Sequence, residues 1–268
     1  MKSKLHLSKK VISILALAVC CLFFNTTNAQ GGYVLVDYMK VKPGMNDKYL
    51  ECEKVWKIIH ENRKKQGKIS WWHLEETMWP SGTSAEYDYL TVTYVKNWDA
   101  IGHLWDNWQA EVKSIVPADK MAFIENTNQY RDIVKSEIWH DVDFAAKPGF
   151  KEANYLVENF FKVPPGGWDD YVEMETRFVK PVHLKNIELG NRAGWEMGRM
   201  VAPMGEDQPY NCSTVDLYDK WEDMDNDEGK AWETIYPGMS DAHIGHRINA
   251  ARKHVRSEIR HVVDSTEK

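Results

Sequence analysis

The sequence predicts an α+β protein made of two tandem copies of one βαββαβ unit. Three observations carry this reading. The segment Tyr33–Gly44 (YVLVDYMKVKPG) returns as Tyr155–Gly166 (YLVENFFKVPPG). Nearer the far end, VKSEIWHDVD (Val134–Asp143) returns as VRSEIRHVVD (Val255–Asp264). Between these anchors, β-rich runs and runs of helical spacing follow one another in the same order in both copies. Matched identities include Asp47/Asp169, Tyr49/Tyr171, Glu51/Glu173, Glu53/Glu175, His60/His183, Gly67/Gly190, Trp72/Trp195 and Tyr87/Tyr210. One extra residue enters the second copy near Pro181.

The elements follow in order. Tyr33–Val41 is rich in β-formers and is closed by the turn Lys42-Pro43-Gly44, so it is a strand. A helix is expected from Asn46 to Gln66, because Cys52, Val55, Trp56 and Ile59 share one face and Gly67 suits its stop. Residues 69–79 form a second strand, and Pro80-Ser81-Gly82 turns the chain into a third, Tyr87–Val95. Asn97 can cap a second helix from Trp98 to about Ile115. A short third helix covers Ala118–Tyr130, and a last strand spans Asp132–Val142. The second copy repeats this with strands at 154–163, 192–201, 210–218 and 253–263, and Pro181 should kink its long helix.

This is the order of a ferredoxin-like fold. Four such strands form an antiparallel sheet with helices on one face, and the bare face needs cover. Two copies packed sheet to sheet supply it, as an internal pseudo-dimer. The element order and the duplication resemble the dimeric α+β barrel superfamily, which includes the antibiotic-biosynthesis-monooxygenase-like, EthD-like and NIPSNAP-like proteins. The resemblance covers both copies, Tyr33–Asp143 and Tyr155–Asp264. It implies a ligand cleft between sheet and helices in each copy.

The chain divides into residues 1–29, a first repeat at 30–145 and a second at 146–268. Lys2, Lys4, Lys9 and Lys10 precede an apolar run, Val11–Phe24, and Thr27-Asn28-Ala29 follows. That is the layout of a secretory signal peptide, so the protein is expected to be exported, periplasmic or secreted. An uncleaved anchor, or a lipid on Cys20 or Cys21, is the alternative. Four of the 34 basic residues lie in this segment, so the remainder carries 30 basic against 40 acidic residues, a net charge near −10. That balance argues against nucleic acid and against an anionic membrane surface as partners. Cys52 and Cys212 lie on predicted buried faces without counterparts in the other copy, which favours two separate thiols over a disulfide.

Chemistry should lie with repeated residues. His60 and His183 sit at the edge of the helix's buried face, where a neutral imidazole could act as acid or base. His140 and His261 fall on the more apolar face of the last strand, under the helices. Trp72, Trp195, Tyr87 and Tyr210 lie on strands beside the cleft and could hold a ligand. Glu137 and Glu258 point to the opposite face, as contacts between the two sheets. Glu53 and Glu175, with Glu51 and Glu173, are expected on the solvated helix face. No HxxxH, HxH or CxxC spacing marks a metal site, and no cofactor is assigned. In the resembled superfamily, haem-degrading members use a helix histidine with a strand asparagine; His103 and Asn159 match, but in different copies. The expected partner is a small, partly apolar organic molecule, bound or converted. A carbohydrate-binding or scaffold protein and a metal or haem protein are alternatives. The pseudo-dimer could pair again into a larger oligomer.

Overall fold

The structure, a computed structural model, describes residues 31–267. The expected signal segment lies outside the described residues. Eight strands form one closed antiparallel barrel: β1 (Tyr33–Val41), β2 (Trp71–Trp79), β3 (Tyr89–Val95), β4 (Arg131–Ala146), β5 (Tyr155–Lys162), β6 (Gly194–Ala202), β7 (Cys212–Tyr218) and β8 (Lys253–Ser265). Around the barrel they run β1-β3-β2-β8-β5-β7-β6-β4. The first four strands are therefore neighbours in the order β4-β1-β3-β2, and the last four in the order β8-β5-β7-β6. The halves join where β2 pairs β8 and where β4 pairs β6. The sheets thus meet at both edges rather than merely stacking, which leaves no open strand edge on the barrel.

The helices cover the outside. α1 (Asn46–Lys65) ends before Gly67, whose φ of 72° no other residue type adopts so readily. The expected second helix is two, α2 (Trp98–Gly102) and α3 (Trp108–Ile115), broken by Asn107 at φ 56°. Asn97 caps α2 as expected, its side chain accepting from the Ala100 amide at 2.9 Å. The short third helix is a 3₁₀ turn at Ala118–Lys120, then α4 (Met121–Glu125) and α5 (Thr127–Tyr130).

In the second half a long helix comprises α6 (Trp168–Glu173), a π-helical stretch (Met174–Val179) and α7 (Lys180–Leu189). The extra residue near Pro181 is absorbed there. A π turn takes in one more residue than an α turn, and proline lacks the N–H that a regular ladder would require. α8 (Gly229–Ile235) and α9 (Asp241–Ala251) complete the set.

Alternation along the strands divides the core into an inner and an outer layer. Val34, Val36, Tyr38, Leu90, Val92 and Phe160 pack inside the barrel. Outside, Tyr49 of α1 packs with Trp72 and Leu74 of β2, and Tyr171 and Phe178 of the second half's long helix pack with Trp195 of β6. Cys52 and Cys212 are both free and buried, as the sequence reading held. Among the described residues no helix is long and apolar enough to cross a membrane.

Glu53 and Glu175 depart from expectation. Both are buried, not solvated, while Glu51 and Glu173 are exposed. Arg252, at the entry to β8, forms an ion pair with Glu175, and Arg131, at the start of β4, offsets the charge of Glu53. Burial still outweighs the arginines and pushes both carboxyls up to about 7. The helix pattern did not reveal this because the compensating charge comes from about 80 residues away in the chain.

Candidate functional site

The repeated histidines of the long helices lie flat on the repeated tryptophans. His60 stacks on Trp72 with ring centroids 4.8 Å apart and planes within 6°. His183 stacks on Trp195 at 5.0 Å. Both tryptophans are fully buried, and so is His60. Burial, with Arg63 close by, pushes His60 down to about 3. His183 is lowered well below the usual range by burial and by Arg192, which contacts its Nδ1. Both imidazoles are therefore neutral across the physiological range. Replacing Trp72 or Trp195 by alanine should cost about 3–5 kcal/mol of stability, read as a lower urea midpoint.

His140 and His261 face outward on the helix side, as expected, but not beside His60 and His183. His140 pairs with Tyr33 on β1, and its ring lies 5.1 Å from that tyrosine's. His261 has the same relation to Tyr155. Trp72 lies on β2, three strand spacings from β4, so His140 stands roughly 14 Å from the His60 stack. The expected pairing of two histidines in one cleft is not formed. The tyrosines also differ from expectation. Tyr87 and Tyr210 lie inside the barrel, not beside the helix–sheet clefts. Tyr210 donates to Glu137 at 2.6 Å and Tyr87 to Glu258 at 2.5 Å. Glu137 and Glu258 are thus the contacts between the halves that the sequence implied. Tyr38 adds a second donor to Glu137 at 2.7 Å.

The open space is inside the barrel. A cavity of about 300 Å³ occupies one end, at the lower bound of small-molecule sites. Eight strands give an interior that side chains can just fill or that can hold one small ligand. Trp71, Tyr94 and Trp139 wall it, with Phe144 and Phe150 at its rim. Trp71 stacks on Tyr94 at 3.6 Å and meets His73 edge-on at 4.6 Å.

Polar groups converge in this cavity. His73 Nε2 lies 2.8 Å from Glu75 Oε1, and both residues are buried. Arg260 lies 3.1 Å from Glu75, 2.5 Å from Glu158 and 2.6 Å from Glu258. Burial works to raise Glu75, but His73 and Arg260 outweigh it and hold the carboxyl low. Arg256 also pairs with Glu258 at 3.0 Å, but Glu75 and Glu158 share Arg260 alone among the guanidinium ion pairs of the described residues. Glu158 is the one left high, at about 7, through burial and the repulsion of Glu258 and Glu75. Glu196, which accepts from the Tyr94 hydroxyl at 3.1 Å, is pushed up to about 8 by burial and by Asp141. Asp141 itself rises to about 7. The site therefore holds an imidazole tied to a carboxylate and carboxyl groups that keep their protons near neutrality, a combination suited to proton transfer.

Sequence reasoning placed no site here because it treated the face between the sheets as packing. A signal existed. Trp71, His73 and Glu75 alternate on one face of β2, and their counterparts are Gly194, Glu196 and Gly198. At these positions the copies part in chemistry, whereas the structural pairs stay alike.

Among the described residues no three His, Cys, Asp or Glu side chains converge on a metal position. A haem seated on His60 or His183 would have to displace Trp72 or Trp195, so these residues do not fit that group. His103 is exposed and bonds Asp106 at 2.8 Å. Asn159, in the other half, bonds Asp216 and Ser257.

No protein-family model matches the sequence, and no curated protein matches it. Among solved structures, the chain is similar to a candidate monooxygenase from Fusobacterium nucleatum, with a TM-score of 0.55 and 9% identity over 89% of this chain and 95% of that one. It is also similar to a chlorite dismutase variant from Candidatus Nitrospira defluvii in complex with cyanide, with a TM-score of 0.52 and 9% identity over 89% and 92% of the two chains. At these identities the likeness establishes the fold alone: a mixed α+β protein with an eight-stranded antiparallel barrel.

Proposed function

We propose that this protein binds and converts a small, partly apolar organic molecule inside the barrel, with His73 as base. The carrying observation is the cavity itself, where aromatic walls meet a buried histidine–carboxylate pair and carboxyls raised toward or above 7. Glu75 stands in ion-pair contact with His73 Nε2 at 2.8 Å, so Nδ1 is the ring nitrogen left to meet the ligand. Glu196, its carboxyl pushed up to about 8, faces the same space. The aromatic walls exclude water and hold the apolar part of the ligand. The names of the two structural neighbours, a monooxygenase and a chlorite dismutase, agree with small-molecule chemistry in this fold.

The wider setting is part of the same proposal. The chain is exported by its lysine-led apolar start and is built from two copies of one ferredoxin-like unit, 30–145 and 146–268. Support for the doubling comes from the matched stacks His60/Trp72 and His183/Trp195 and from the matched tyrosine–glutamate bonds across the barrel.

Soaking crystals with small monocyclic aromatic compounds tests the reading. Density should appear between Trp71 and Trp139, and Val215→Trp, which fills the cavity, should abolish it. Density only outside the barrel would overturn the proposal. A second reading, carbohydrate binding, has one observation in its favour. Trp79 and Trp221 are about half exposed, with ring centroids 5.6 Å apart, beside Tyr155. Hits on a glycan array that vanish in Trp79→Ala would favour it.

A further inference from the structure

We propose that the ligand of the barrel cavity carries a cationic amine head, received by Glu196, Asp141 and the free nitrogen of His73. This rests on the reading of the cavity as the ligand site and adds the charge class of what enters.

The charge count inside the barrel comes first. Glu75, Asp141, Glu158 and Glu196 line the cavity, and Arg260 is the guanidinium among them. That guanidinium is already committed to Glu75, Glu158 and Glu258. The close partner of Glu196 is the Tyr94 hydroxyl, a neutral donor, at 3.1 Å. At the mouth Lys151 stands among Glu152 and Glu267, so the acidic excess persists to the entrance.

The unpartnered imidazole is the second observation. His73 is 94% buried, lines the cavity, and its Nδ1 has no hydrogen-bond partner. Nε2 lies in ion-pair contact with Glu75 at 2.8 Å, and neither ring nitrogen has a hydrogen-bond partner, so Nδ1 is open to one from a ligand. A buried polar atom left without a partner is costly, so an incoming N–H would gain what the protein leaves unmade.

The walls agree. The faces of Trp71, Tyr94 and Trp139 carry negative charge density and attract ammonium groups in addition to apolar rings. A carboxylate ligand would meet four carboxyl groups, and a neutral one would leave them uncompensated. An ammonium head instead lets Glu196 and Asp141 ionise and replaces their protons with its own charge.

Isothermal titration of the intact protein at pH 7.5 with three probes of one shape tests this: benzylamine, benzyl alcohol and benzoate. Benzylamine should bind at least tenfold more tightly than either of the others. Its affinity should rise about tenfold from pH 5.5 to 7.5 as the carboxyls facing it from β6, β4 and β5 give up their protons; His73, Glu75, His140, Lys151, Glu152, Arg260 and Glu267 are the further titratable or charged groups that line the cavity. Glu196→Gln, which keeps the shape, should abolish the preference while still binding benzyl alcohol. Should that variant fail to fold, the pH series on the unaltered protein decides. Benzyl alcohol or benzoate binding as tightly as the amine, or an amine affinity that falls with rising pH, would overturn the amine head alone. Absence of binding by all three would overturn the cavity reading with it.

Discussion

Arg260→Ala should destabilise the protein by about 4 kcal/mol or more at pH 8, seen as a fall in Tm of roughly 10 °C. Arg260 is buried at the centre of the barrel and touches carboxylates from β2, β5 and its own β8. Removing it takes the guanidinium from Glu75 and Glu158, while Glu258 keeps Arg256 at 3.0 Å. Breaking a buried ion pair from one side typically costs about 3–5 kcal/mol, because the stranded charge has lost its water. The stranded carboxyls can escape by taking up protons, so the loss should shrink at pH 5. A loss equal at both pH values would mean that missing side-chain volume, not missing charge, is the cause. A loss under 1 kcal/mol would mean that the network does not hold the two halves together.

The second large effect is the pH dependence of stability itself. Glu53, Glu158, Glu175 and Asp141 are raised to about 7 and Glu196 to about 8. Each holds its proton more tightly folded than unfolded. The stability this confers is complete below the unfolded value near 4–4.5 and is lost as pH rises toward 7–8. His60 and His183 act the other way. Their folded values lie below 6.5, so the stability they confer is complete above 6.5 and is lost as pH falls, toward about 3 for His60. Each group weighs on the order of 1.4 kcal/mol per pH unit within its own window. The five carboxyls outweigh the two imidazoles between pH 4.5 and 6.5, and above 6.5 they act unopposed. Calorimetry should therefore show maximal Tm near pH 4.5 and a marked fall from there to pH 8. A Tm that is flat or climbs over that range would show that these carboxyls are not held protonated in the folded barrel.

The same groups link stability to the proposed site. A cation between Glu196 and Asp141 would remove part of the cost of ionising them. An amine ligand should thus stabilise the protein more at pH 8 than at pH 5, whereas a neutral ligand should not discriminate.

Element order and strand positions were legible in the chain. Tyr33–Val41, the Asn97 cap, the stop at Gly67 and the two separate thiols depend on near neighbours in sequence, and local chemistry decides them. The inward placement of Glu137 and Glu258 could also be read, because strand alternation is local. Three features could not. Whether Glu53 and Glu175 meet water depends on arginines that arrive from the last strand of each half. Whether His60 meets His140 depends on the strand order β4-β1-β3-β2, which sets three strand widths between them. Where the empty space lies depends on how eight tilted strands close, since the same inward residues fill one end of the barrel with Tyr38, Tyr87 and Tyr210 and leave the other open around His73. Periodicity tells which face a side chain takes; only closure of the barrel determines how much room that face encloses and which distant charges share it.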